Sequence, residues 1–314
     1  MTSVADRSAS FEATDSTSPS AARGTTPQRG YFFGPLTDFL YLGGGSLIVL
    51  GAIIIFLPQG ISEPQIVSLM LVLMLLINQP HFAHSYQLFY RNFRNKAFGQ
   101  YARALRLRYI LAGIIVPIAL AFFLAVGTLI ALRTRNTQIL GYGFNLMFFL
   151  VGWHYVKQGY GILIVDSVQK SLVFSESEKR VLRFNSYACW LLTWIGLNNT
   201  VANVAPQLGI AYGTLALPTI AYQAIVVAGV ASTIGAVGVF FQAWRRLGSL
   251  PWIGVVAYLT TLYLWVMFAR INPLVYLIIP TFHSLQYLTV VWRYELNAGG
   301  GGRGGKAHTG ACVA

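Results

Sequence analysis

Long apolar segments separated by short basic loops constrain this chain more than any other feature of its sequence. Eight segments of about 20 predominantly apolar residues or more follow one another between residues 39 and 293. A segment of this length crosses the roughly 30 Å hydrocarbon core of a bilayer as a helix, which satisfies its own backbone hydrogen bonds. Only 10% of the residues are charged, whereas soluble domains carry about a quarter. The sequence therefore predicts an all-α fold, a polytopic transmembrane helical bundle.

The spans and the tails divide the chain into three parts. Residues 1–35 are rich in Ser, Thr, Ala and Pro and predict a disordered cytoplasmic tail. Residues 297–314 predict a disordered Gly-rich tail. The transmembrane domain lies between them, at 36–296. Its predicted spans are 39–57, 65–90, 109–132, 138–165, 185–205, 218–244, 251–268 and 272–293.

The basic residues give an independent test of this topology. With eight spans and a cytoplasmic N-terminus, 18 of the 22 Lys and Arg residues fall on the cytoplasmic side and 3 on the other, with Lys157 inside a span. This asymmetry follows the positive-inside rule and predicts that both termini are cytoplasmic. The basic residues lie in loops, without a stripe of interleaved exposed aromatics, which argues against nucleic-acid binding despite a net charge of +13. The expected location is a bacterial inner membrane.

Four histidines lie within the predicted spans and are the main functional signal. His81 and His84 are in span two, His154 in span four and His283 in span eight, and all three spans run towards the cytoplasm. Counted from the loops, the four lie roughly 10–18 Å above the cytoplasmic boundary, at a rise of 1.5 Å per residue. Ionisable groups in the membrane are costly and usually face the bundle interior. A common depth on three helices therefore predicts one shared site.

In each of the three spans a glutamine follows the histidine by three or four residues, in the sequences H-S-Y-Q, H-Y-V-K-Q and H-S-L-Q. Gln87, Gln158 and Gln286 are expected to bind the second ring nitrogen of a ligating imidazole on a neighbouring helix. Pro80 and Pro280 lie just before His81 and His283 in the sequence, where they free backbone carbonyls and favour kinks around a cavity.

The chemistry of the histidines suits a metal ion. Four neutral imidazoles suit iron, copper or zinc. The carboxylates Asp38, Glu63, Asp166 and Glu295 lie at or beyond the ends of the spans, which argues against a carboxylate-bridged di-iron centre. Two alternatives remain open. His154 and His283 could be the axial ligands of a haem b in an electron-transfer or quinol protein, or the histidine layer could be the binding site of a transporter.

Other polar residues near the layer have a functional and a structural interpretation. Lys157 and Tyr155 are candidate catalytic residues, although Lys157 is equally placed to snorkel to the interface. Tyr86 and Tyr287, next to the histidines, are further candidates for the cavity lining. Asn198, Asn199 and Asn203 make span five polar and favour interhelical hydrogen bonds.

In length, helix number and its four intramembrane histidines, His81, His84, His154 and His283, the chain resembles the Brp/Blh-type membrane β-carotene oxygenases. The resemblance implies a non-haem iron held by those histidines that reacts with O₂ on a lipophilic molecule. The leading hypothesis is thus an integral membrane iron oxygenase whose lipophilic substrate enters from the membrane lipid. Copper or haem b are the alternative cofactors.

Overall fold

A computed structural model describes residues 30–56, 63–200, 210, 212–265 and 275–300. Most of the described residues are helical, and the described part contains no β-strand. The residues at 1–29 and 301–314, which make up most of the two predicted tails, lie outside the described part, as do Asn203 and the end of span five.

The described helices, several of which contain a five-residue π-helical turn, are numbered in chain order. They are α1 (Pro35–Phe39, Leu40–Gly44 and Gly45–Phe56), α2 (Glu63–Leu73, Met74–Asn78 and Gln79–Tyr90), α3 (Phe93–Phe98), α4 (Arg103–Ile110, Leu111–Ile115 and Val116–Thr134), α5 (Gln138–Gln169), α6 (Glu176–Thr200), α7 (Thr219–Leu247), α8 (Trp252–Leu259 and Thr260–Leu264) and α9 (Val275–Gly300).

Four described helices have the length and apolar character that the predicted membrane class requires. Each predicted span overlaps one of the described helices α1, α2 and α4 to α9. Among the described residues, four stretches are long and apolar enough to cross a membrane: Pro35–Ala52, Arg103–Thr134, Gln138–Gln169 and Thr219–Leu247.

The structure describes the parts of both predicted tails that adjoin the bundle, residues 30–35 and 297–300. Phe32 is buried, and its N–H donates to the Asp38 carboxylate at 2.6 Å. The Phe33 N–H donates to the same carboxylate at 3.0 Å. The chain is therefore fixed to α1 before residue 35, because this buried carboxylate needs those donors. At the other end α9 continues to Gly300, four residues past the predicted limit at 296.

Prolines account for two of the π-helical turns. Pro80 follows the turn Met74–Asn78, and Pro117 follows the turn Leu111–Ile115. A proline has no N–H and its ring clashes with the carbonyl four residues earlier, so the preceding turn widens. The turn Thr260–Leu264 has no proline after it, and we have no physical account of it.

A capping box starts α6 and joins it to α7. The Ser175 N–H donates to the Glu178 carboxylate at 2.6 Å, and the Glu178 N–H donates to Ser175 Oγ at 3.3 Å. This reciprocal pair satisfies two N–H groups that the first turn leaves free. Arg246, at the end of α7, donates to the same carboxylate at 2.7 Å. Gly248 then ends α7 in the left-handed region, at φ +73°.

The helices pack in two groups that meet at α5 and α8. Helix α6 lies between α5 and α7, and α8 packs against α5. The buried side chains of this group include Leu163, Leu182 and Tyr258. Helix α9 packs against α1 and α2. At the junction a Cβ on Gly159 would lie 2.9 Å from Thr261 Cβ, so glycine sets the close approach of α5 to α8.

Candidate metal centre

Three helices bring three imidazoles together inside the bundle. His81 of α2 and His283 of α9 are buried, whereas His154 of α5 is exposed to the cavity described below. The ring centroids are 5.2 Å apart for His81 and His283, 4.8 Å for His154 and His283, and 6.4 Å for His81 and His154. One ring nitrogen from each histidine lies within 4.8 Å of the others. We call these three residues the histidine cluster.

The spacing of these nitrogens is close to that of metal ligands. Two nitrogens on a tetrahedral ion, each about 2.1 Å from it, are about 3.4 Å apart. Because the outer limit in the cluster is 4.8 Å, the nitrogens would have to approach one another by about 1.4 Å at most to reach that distance.

The buried ring nitrogens have no partner among the described residues. These atoms are Nδ1 of His81 and both Nδ1 and Nε2 of His283. A buried polar atom without a hydrogen bond costs about 1–3 kcal/mol, so three of them on two neighbouring rings require an explanation. A metal ion shared by the cluster would account for one nitrogen on each ring, since it takes one lone pair from each neutral imidazole; the second nitrogen of His283 would still have no partner among the described residues.

His84 is not a member of this cluster. It is half-buried one turn beyond His81 on α2. A step of three residues turns a helical side chain by about 300°, which leaves it about 60° away from the first one. The ring of Tyr287 lies edge-on against His81, with centroids 4.3 Å apart. The structure thus brings together three of the four predicted ligands.

Of the three predicted glutamines, Gln158 supports the backbone of the cluster, and none of their described hydrogen bonds reaches a histidine ring, so the prediction of ring contacts needs correction. Gln158 Nε2 donates to the His283 carbonyl at 2.9 Å and to Gln286 Oε1 at 3.2 Å. Gln286 Nε2 donates to the Leu42 carbonyl and to Thr261 Oγ1. Gln87 is exposed. Helical side chains lean towards the N-terminus of their helix, which brings Gln286 back to the level of the His283 carbonyl.

The two candidate catalytic residues on α5 are in different environments. The Tyr155 ring is stacked on His283, with centroids 4.1 Å apart, and lines the cavity. Lys157 is exposed, and its Nζ lies 4.8 Å above the ring of Trp153. Neither Lys157 nor Trp153 is among the cavity-lining residues. This placement favours the interfacial interpretation of Lys157.

The other two tyrosines predicted to line the cavity lie in different environments. Tyr287 contacts His81, as described above, whereas Tyr86 is 63% exposed and stacks on Tyr90.

The interhelical role expected of Asn198 is confirmed: its Oδ1 accepts from Asn145 Nδ2 of α5 at 2.6 Å.

A cavity of about 450 Å³ adjoins the histidine cluster. Two π-helical turns contribute to its wall, with Met74 and Asn78 from α2 and Thr261 from α8. The remaining wall is largely aromatic and aliphatic, with Phe82, Met147, Phe148, Val151, Trp190, Leu197, Trp265 and Ile279. No Asp, Glu, Lys or Arg lines this cavity in the described part of the chain.

Asn78 is a site residue that the sequence analysis missed. It is buried, it lines the cavity, and its Oδ1 accepts from Ser284 Oγ at 2.6 Å. The available signal was an Asn within an apolar span, one turn before His81, because polar residues in membrane spans mark sites or helix contacts.

The buried carboxylates are engaged elsewhere. Asp166 pairs with Lys170 at 2.7 Å and accepts from the Gly254 N–H at 2.9 Å. Asp38 accepts from the backbone near Phe32. The cluster is therefore an all-imidazole donor set, which suits neutral-ligand binding of a borderline metal.

Comparison with known proteins adds no relative: no protein-family model, curated protein or solved structure matches this chain.

Proposed function

We propose that this chain is an integral membrane metalloenzyme, a non-haem iron oxygenase acting on a lipophilic substrate, with His81, His154 and His283 as metal ligands. One observation carries the proposal: three imidazoles from three helices converge, and buried nitrogens of two of them lack any other partner in the described part. Three protein ligands, with further positions open, are the pattern of catalytic rather than structural metal sites.

The proposed topology has eight spans with both termini in the cytoplasm of a bacterial inner membrane. Four helices with the length and apolar character of spans support it, as does the 18 to 3 distribution of basic residues. In this topology the cluster lies nearer the cytoplasmic side, and α2, α5 and α9 run in parallel.

Bound iron would supply the activation of O₂ in this enzyme. The protein's own residues hold and shield the site. The histidines bind the metal in their neutral form, and the glutamine pair Gln158 and Gln286 fixes the backbone at His283. Tyr155 stacks on the His283 ring, and Trp265 packs against Tyr155 in turn, so that two aromatic side chains limit the access of water to this ligand. The apolar wall holds the substrate, and Asn78 is the nearest buried amide on α2 that can orient it.

A bare ion fits the cluster better than haem b. Axial ligands of a haem stand on opposite faces of the porphyrin, with the space between them clear. Here the His81 ring lies 5.2 Å from His283 and 6.4 Å from His154, so a third imidazole stands beside the pair that would have to flank the porphyrin. A Soret band in the purified protein would contradict this choice.

Metal analysis of the purified full-length protein tests the proposal. We expect about one iron per chain in the wild type and a loss of about tenfold or more in His81→Ala, His154→Ala and His283→Ala, since each removes one of three ligands. His84→Ala is the matched control, on the same helix and outside the cluster, and keeps its metal. Equal metal content in the wild type and all three ligand variants would rule the site out.

A further inference from the structure

Helix α4 contacts its neighbours near its two ends. At one end Tyr90 OH of α2 donates to the Gly113 carbonyl at 2.8 Å, and the Phe89 and Tyr109 rings are 5.3 Å apart. At the other end Gly127 packs on Leu140 of α5. Every residue from 115 to 122 is exposed. Eight consecutive exposed residues make about two helical turns, so no face of α4 is covered there by described residues.

The cavity opens on the gap that α4 bridges. Four of its lining residues stay exposed: Met74 and Phe82 on α2, and Met147 and His154 on α5. Helix α2 packs on α9, whereas α5 packs on α6 and α8. The open side of the cavity therefore lies between α2 and α5, the two helices that hold the ends of α4.

We propose that the gap between α2 and α5, spanned by α4, is a lateral portal through which an uncharged, chain-like lipid inserts one end into the cavity beside the histidine cluster. This inference rests on the proposed function and specifies its substrate class. The side chains favour a neutral inserted end, because the described lining contains no Asp, Glu, Lys or Arg and a buried charge without a partner is costly; only the proposed metal itself would carry charge there.

The dimensions of the cavity limit how much of the molecule enters. Met147 precedes His154 by seven residues on α5, and Met74 precedes His81 by seven on α2, which corresponds to about 10 Å along each helix. A volume of about 450 Å³ is in the lower part of the range for drug-sized ligands. A longer molecule keeps the remainder of its length beneath α4 and in the surrounding lipid.

Photolabelling of the full-length protein in lipid nanodiscs tests the portal. The two probes are a fatty alcohol and the fatty acid of equal chain length, each with a diazirine near the polar end and a terminal alkyne. We expect the alcohol to label the Met74 and Met147 regions of the cavity. In protein treated with a chelator, so that no metal ion can bind the carboxylate, we expect the ionised acid to label them about tenfold less. Equal labelling by both probes in the chelated protein would overturn the claim that the inserted end is neutral.

Two adjacent positions on α5 give the matched variants. Val151 lines the cavity, whereas Leu150 is 45% exposed and does not. Val151→Trp fills the cavity and lowers alcohol labelling about tenfold, while Leu150→Trp adds the same indole outside and leaves it unchanged. Val151→Phe gives an intermediate loss and replaces Val151→Trp if that variant fails to elute as folded protein. Unchanged cavity labelling in the Val151 variants would overturn the portal.

Metal analysis of the same samples separates the two proposals. If the purified protein contains no metal and cavity labelling depends on Val151, the result contradicts the metalloenzyme proposal and supports the lipid portal. If the protein contains stoichiometric iron and labelling does not depend on Val151, the result contradicts the portal and supports the metal centre.

Discussion

Two buried polar clusters in this bundle differ in one respect, the state of their hydrogen bonds. Between α6, α7 and α8, the fully buried Asn185 accepts from Tyr258 OH at 2.7 Å and from Tyr263 OH at 2.9 Å. Its amide donates to Ser232 Oγ at 3.1 Å and to Thr233 Oγ1 at 3.4 Å. In the histidine cluster the equally buried His283 has no hydrogen bond from either ring nitrogen in the described part.

The difference separates a structural cluster from a ligand site. Buried polar groups in folded proteins are normally paired, and Asn185 follows that rule by using its own neighbours. The histidine cluster departs from it at three ring nitrogens, one on His81 and two on His283. We infer that the Asn185 cluster holds helices together and that the histidine cluster requires an exogenous partner.

The largest effect on stability is expected at the structural cluster. Asn185→Leu leaves Tyr258 OH and Tyr263 OH with one acceptor fewer and lowers the free energy of unfolding by about 1–3 kcal/mol. Thermal unfolding in detergent measures this loss, and metal content should stay at the wild-type level. Thr233→Val removes two of the longer contacts of this cluster, at 3.4 Å to Asn185 and 3.1 Å to Tyr263, together with a bond to the Gly229 carbonyl of its own helix; it is the control and should lose less. A loss of metal without a loss of stability would break the distinction between the clusters.

A smaller effect is expected from the support of the histidine cluster. Gln158→Leu removes the hydrogen bond to the His283 carbonyl and loosens the backbone at that ligand. Supporting groups of this kind change metal affinity by about 10–100-fold, and we expect the lower limit because the contact is to the main chain. Competition with a graded chelator measures it, with Gln87→Leu as the exposed control on α2. Wild-type affinity in Gln158→Leu would show that the glutamine pair has no role at the site.

The smallest effect concerns the capping box at Glu178, outside the membrane segments. Burial alone raises the pKa of this carboxyl, but the hydrogen bonds from the Ser175 N–H and from Arg246 outweigh it, so the pKa lies below its usual value of 4.5. Its stabilising contribution is complete above pH 4.5 and is lost as the pH falls through the lowered pKa.

Glu178→Gln removes that pH dependence. With Arg246 half exposed, the ion pair contributes about 1 kcal/mol or less. Thermal unfolding of both proteins between pH 3 and 7, at about one-unit steps, measures the difference. Metal content at pH 7 should not change, because α6 and α7 carry no ligand. Parallel pH curves for the two proteins would show that the carboxylate makes no such contribution.

The sequence predicted the fold class and the meeting of the histidines for physical reasons that are local. Apolar length determines helices in a membrane, and a common depth on His81, His154 and His283 requires only the helical rise. The direction in which a side chain points around its helix axis depends on how that helix packs against others, so it does not follow from the local sequence. His84 shares the depth but not the direction, and Gln286 reaches a carbonyl instead of a ring. Asn185 was missed because its polar partners come from two other helices.

The π-helical turn at Met74–Asn78 has a consequence for how α2 tolerates insertions and deletions. Such a turn accommodates one residue more than a regular α-helical turn while the helix turns through about the same angle, so removing one residue there would restore a regular helix. The residues upstream would then keep their direction relative to His81, and the lipid-facing pattern of the first half and the ligand direction of the second half would both be kept. A one-residue deletion at Leu75 or Leu76, which are largely exposed, should therefore be tolerated better than a one-residue deletion within the regular helix α5, where everything beyond the deletion would rotate by about 100°.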